Sequence, residues 1–146
     1  MLSVHWAMKS KFLSVLGAAS GLFLLAVPMR AHHSFAAEFD INKPVTLTGV
    51  VTKVEWMNPH ARFYLDVKDA NDRLVNWDLE IGSPNGLLRR GWNRHSLKEG
   101  DVVTVQGYRA KDGSNMASAR MVTLADGRKV FAGSADDGGP GSAGRL

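Results

Sequence analysis

The chain has 146 residues and a net charge of +4 from 18 basic and 14 acidic side chains, with five histidines and no cysteine. That length suits one domain, and the missing thiols exclude disulfides, zinc–thiolate centres and blue copper. The charge excludes a nucleic-acid surface once its position along the chain is considered.

Lys9 and Lys11 precede an apolar run over 12–27, which Pro28 ends shortly before Ala31. Basic, apolar and small residues in that order predict a secretory signal peptide, 1–31. The run has 16 residues, short of the roughly 20 that a stable span needs, so cleavage is expected rather than a retained anchor. No arginine pair precedes it, which favours the general secretory route. Met29, three residues before the cut, is larger than the usual small residue there. Cleavage removes Lys9, Lys11 and Arg30 and takes the charge from +4 to +1. No concentrated positive field remains for nucleic acid, and no anchor for a membrane.

The mature chain then opens on a lead-in, 32–44, with Phe35 and Phe39 four apart among charges. A first strand is predicted over 45–56, rich in Val and Thr, with Gly49 placed where a sheet could curl. A second strand, 63–68, puts Phe63, Leu65 and Val67 on one face, and Asp69-Ala70-Asn71-Asp72 is turn chemistry. The third, 74–81, alternates Val75, Trp77, Leu79 and Ile81 with Asn76, Asp78 and Glu80. Ser83-Pro84 starts a short helix that Gly91 closes. Strands over 102–108 and 117–124 follow, and Asp126-Gly127 turns the latter into a final one, 128–132. The stretch 133–146 is expected to be a disordered tail because Gly, Ser, Ala and Asp dominate it.

The first five strands, with a short helix after the third, follow the order β-β-β-α-β-β of an all-β, OB-fold-like Greek-key barrel, here over 45–132 with the final short strand. In such a barrel the connection between the first two strands flanks the usual ligand face. That connection contains Trp56-Met57-Asn58-Pro59-His60-Ala61. Ligand contact is therefore expected from Trp56, Asn58 and His60, with Trp92 as a half-exposed aromatic at the helix end.

Histidines offer the other chemistry. With cleavage after Ala31, His32 carries a free α-amine beside its imidazole, and His60 would add a third nitrogen in the tetragonal manner of copper(II), a histidine brace. A local site of the amine, the His33 amide and the His33 ring would serve without His60. Solvation of adjacent histidines and a loop hydrogen bond for His60 would explain the same residues without metal. Asp78 and Glu80, two apart on one strand face, look like paired acid/base carboxylates, but nothing sets a nucleophile between them. No GxSxG, phosphate-cradling glycine loop or HExxH is present. The residues thus point to a non-enzymatic binding module, with copper binding or copper redox catalysis as alternatives.

The strings Ala31-His32-His33-Ser34-Phe35, Trp56-Met57-Asn58-Pro59-His60, Ser83-Pro84-Asn85-Gly86-Leu87-Leu88-Arg89-Arg90-Gly91-Trp92 and Gly107-Tyr108-Arg109-Ala110-Lys111-Asp112-Gly113 resemble a family of small exported proteins of Gram-negative bacteria, a domain of unknown function. The resemblance runs from His32 to about Gly133. It implies a periplasmic protein of one small β domain; a small ligand or another periplasmic protein as partner belongs to the binding-module reading of the residues. It implies no catalytic residue.

Overall fold

The computed structural model describes residues 34–134 and 137–141. The chain separates into two units, Met1–Ala31 and His32–Leu146, and the described residues all fall in the second. The expected signal peptide, His32 and His33 lie outside them. A one-turn helix, α1 (Phe35–Glu38), leads into β1 (Phe39–Glu55), β2 (Arg62–Lys68), β3 (Leu74–Glu80), a short helix α2 (Pro84–Leu88), β4 (Val102–Ala110), β5 (Met116–Thr123) and β6 (Lys129–Phe131).

β1 pairs antiparallel with β2 and β4, β2 with β3, and β4 with β5, while β3 and β5 pair in parallel and close the ring. This is the connectivity of a small OB-type barrel, as the element order predicted. β6 extends β5 beyond the short reach of β3, pairing Met121 with Phe131 through Thr123 with Lys129.

The barrel curls where backbones approach too closely for a side chain. β1 leaves β4 for β2 around Gly49, which faces both Val103 and Val67. A Cβ there would stand 2.2 Å from the Asp66 carbonyl oxygen, so the curl expected at this glycine is a steric requirement. Gly107 makes the matching corner in β4, where a Cβ would stand 2.3 Å from the Ser118 carbonyl oxygen. β1 also begins at Phe39, six residues before the expected 45. Its ladder to β4 shifts register between Phe39 and Pro44, beside a proline that has no N–H to give.

Period-two alternation fills the interior. Phe63 and Leu65 from β2, Leu79 from β3, Val103 and Val105 from β4 and Val122 from β5 are almost wholly buried, each side chain contributing roughly 1.5–3 kcal/mol of transfer free energy. Ser83 caps α2, its Oγ accepting from the Gly86 amide at 3.3 Å, with Pro84 at the first turn. Leu87, fully buried, plugs the barrel end, and Gly91 at φ +86° turns the chain out of the helix.

A second small core lies apart from the first. Phe35 and Phe39 stack with ring centroids 5.7 Å apart, Tyr108 meets Phe35 edge-on at 5.6 Å, and Ala110 and Met116 complete the cluster. It fastens α1 to β4 and β5. Residues 137–141 belong to the stretch expected to be disordered, yet they pack on this cluster: Phe35 N–H donates to the Asp137 carbonyl at 3.0 Å, and Asp137 pairs with buried Arg120. Composition flagged glycine and serine there; the contacts depend on Arg120, which comes from another strand.

Candidate functional site

A register shift between Val51 and Lys53 places an extra residue, Thr52, in β1. Beyond it Val54 and Trp56 face the core while Lys53 and Glu55 face outward. The pairings Glu55↔Arg62↔Glu80 and Lys53↔Tyr64↔Asp78 then lay two rows of polar side chains across the outer face of β1, β2 and β3. The connection between β1 and β2, with a cis Asn58–Pro59 bond, ends against this face. Ala61 N–H donates to Gly82 O at 3.1 Å, and Ile81 N–H to Ala61 O at 3.0 Å. His60 is thereby held beside the last residue of β3.

His60 Nδ1 lies 3.0 Å from Glu80 Oε1. The other Glu80 oxygen accepts from Arg62 Nη2 at 2.8 Å, and Arg62 Nη1 donates to Asp78 Oδ2 at 2.7 Å. Four side chains from one loop and two strands thus form a single ionic chain, His60–Glu80–Arg62–Asp78. Tyr64 extends the face, donating to Glu55 Oε2 at 3.1 Å, and Lys53 pairs with the same Glu55. Asp78 Oδ1 is buried without a partner among the described residues.

The electrostatics follow the geometry. The Glu80 hydrogen bond raises the His60 pKa above its ordinary 6.5; burial opposes this, the charges of Glu80 and Asp137 reinforce it, and Arg62 subtracts. Burial works against the Arg62 charge, but Asp78 and Glu80 outweigh it and hold the guanidinium protonated. Loss of solvent, helped by Asp78 and Glu55, raises the Tyr64 phenol.

The residues expected to bind a ligand part company here. Asn58 is exposed, His60 half-buried and Trp56 half-buried against the core, all on one connection. Trp92 is not a half-exposed aromatic: it is 3% exposed within the main core, and its Nε1–H donates to the Phe131 carbonyl at 2.9 Å. The turn at Gly91 folds the indole inward, and β6 supplies the acceptor, so Trp92 serves the fold. Among the described residues no three His, Cys, Asp or Glu side chains form a group that could hold a metal ion. His60 is the one residue of the expected set His32, His33 and His60 that is described.

Arg62 was not among the expected site residues, and Glu80 was considered only as a carboxylate paired with Asp78, not as the partner of His60. Arg62 stands two residues after His60, which puts it on the next outward position, a usable signal. Glu80 joins only through the Arg62↔Glu80 register, which no local pattern announces.

Barrel and face together define, over the described residues, a small OB-type β-barrel with an ionic, histidine-headed surface beside its first strand connection. The chain belongs to a family of unknown function, DUF6152, whose family model matches residues 20–119. Neither the curated proteins nor the solved structures include a match to it.

Proposed function

We propose that this chain is an exported, periplasmic binding module without catalytic activity. It takes a small ligand or a partner protein on the outer face of β2 and β3 beside the 57–61 connection. The observation that carries the reading is the ionic chain from His60 to Asp78, seated where OB-type barrels bind. Pre-formed charged groups held by two strands recognise polar ligands without first paying to order themselves. The test is an amide-shift screen by NMR with pooled amino acids, dicarboxylates and sugars, on the mature chain and on Arg62→Ala. Shifts confined to 57–64 and 76–80, and lost in the variant, are expected; shifts elsewhere on the barrel would refute this location.

A second reading, copper binding through His32, His33 and His60, has one specific support. Asp137 accepts from the Phe35 amide at 3.0 Å and is near enough to His60 for its charge to act on the imidazole. The Asp137 carboxylate thus adds negative charge in the neighbourhood of His60, which favours a bound cation there. The brace requires the His32 amine; copper redox catalysis would additionally require an open coordination position. An N-terminal extension of the mature chain is expected to abolish tight copper(II) binding. Undiminished affinity in the extended chain would eliminate every site that uses the amine.

A further inference from the structure

We propose that the end of α2, the turn after it and β6 form a basic surface that docks on an anionic phospholipid membrane. No aspartate or glutamate occurs from Ile81 to Lys98, whereas Arg89, Arg90, Arg94 and Lys98 all fall in that stretch. Elsewhere on the barrel the cations are committed. Every described lysine or arginine outside 89–98 and position 129 either faces a carboxylate or donates to a backbone carbonyl. Arg89, Arg90, Arg94 and Lys129 face no carboxylate among the described residues. The small net charge of the mature chain conceals this concentration, because the charges elsewhere cancel in pairs.

Folding brings Lys129 to the arginines. Trp92 Nε1–H donates to the Phe131 carbonyl at 2.9 Å, and the Arg90 guanidinium lies 4.4 Å from the centre of the Phe131 ring. Lys129 shares the outer face of β6 with Phe131, since Val130 between them packs on the core. Arg89 directly precedes Arg90, and Arg94 follows buried Trp92 by two residues, in a turn closed by Asn93 N–H donating to Ser96 Oγ at 2.9 Å. Arg89, Arg94 and Lys129 are exposed.

Leu88 selects a lipid surface over an acidic polypeptide. It is 52% exposed beside Arg89, and an apolar side chain among cations is favourable where hydrocarbon lies just beneath anionic headgroups. The arginines fit the headgroups themselves, because a planar guanidinium takes two phosphate oxygens at once. Each cation held near such a surface raises affinity roughly fivefold. Together they give weak, reversible docking, and the surface shares no residue with the ionic chain that begins at His60.

The test is flotation of residues 32–146, which form a compact unit of their own, with vesicles of phosphatidylglycerol and phosphatidylcholine or of phosphatidylcholine alone. Binding to the anionic vesicles at low salt, its loss at high salt and no binding to the neutral ones are expected. Arg89→Gln, Arg94→Gln and Lys129→Gln should each weaken it roughly fivefold, whereas Lys43→Gln, a cation paired with Asp40, should change little. Leu88→Gln should weaken it too, a loss that charge alone does not produce. Equal binding to both kinds of vesicle, or affinity unchanged when Arg89 and Arg94 are both replaced, would overturn the proposal. Binding that polyglutamate displaces and that Leu88→Gln leaves intact would assign the surface to an acidic polypeptide and overturn it as well.

Discussion

Asp137 closes on Arg120: Oδ2 lies 3.0 Å from Nη2 and Oδ1 accepts from Nη1 at 3.2 Å, with both side chains less than one-tenth exposed. The guanidinium also lies 4.5 Å from the centre of the Phe35 ring. One residue near the C-terminus therefore neutralises a buried charge on β5 while its backbone carbonyl holds the amide of α1. Arg120 Nε is buried with no acceptor among the described residues, which makes the Asp137 carboxylate the principal compensation for that charge.

Removing it should be costly. Asp137→Ala leaves a buried guanidinium without a counter-charge, and a loss of about 3 kcal/mol is expected. Urea unfolding measures it, and a chain ending at Gly133 should lose a similar amount. Identical midpoints for truncated and full-length protein would show that the C-terminal segment holds nothing.

The His60–Glu80 pair gives a stability term with a definite sign in pH. The folded-state pKa of His60 lies above 6.5, so the imidazolium favours the folded state. Its contribution is complete below the unfolded value and is lost as pH rises through the raised folded value. His60→Asn should therefore cost about 1 kcal/mol near pH 6 and progressively less above neutrality. Thermal melts of both proteins across that range test this; a gap that widens with pH contradicts the pairing.

Arg62 separates two carboxylates on adjacent outward positions of β3. Arg62→Ala leaves Asp78 and Glu80 facing each other without a cation between them, and about 1–2 kcal/mol of destabilisation is expected at low salt. The three groups are partly solvated, so 1 M sodium chloride should shrink the difference. A loss indifferent to salt would assign it to packing of the Arg62 stem instead.

Glycines should divide by the reason each is present. Gly49→Ala drives a methyl group to 2.2 Å from a backbone oxygen and should cost about 2–3 kcal/mol, because the sheet must open. Gly91→Ala meets open space at φ +86° and should cost about 1 kcal/mol from backbone strain alone. Equal melting temperatures for the two variants would contradict this account of the barrel corner.

Much of this arrangement could be read locally. The alternation of Phe63, Leu65 and Val67, and of Trp77 and Leu79, announced inward faces because a strand has a period of two. Ser83-Pro84 and Asp126-Gly127 marked a helix start and a hairpin because their side chains and dihedral preferences act within a few residues. Trp92 escaped such reading: a tryptophan after a helix-ending glycine can face either way, and the Phe131 carbonyl that satisfies its indole comes from a strand 39 residues later. The role of Asp137 escaped for the same reason, since its partner Arg120 lies on another strand.

By itself the sequence determined the order of strands, the sides they bury and the histidine standing after Asn58-Pro59, all consequences of preferences that act over a few neighbouring residues. Tertiary structure alone decided that His60 meets Glu80, that Arg62 bridges Glu80 to Asp78, and that the C-terminal segment returns to Arg120. Those contacts join residues brought together by strand register and barrel closure, and register is set by the fit of the whole core.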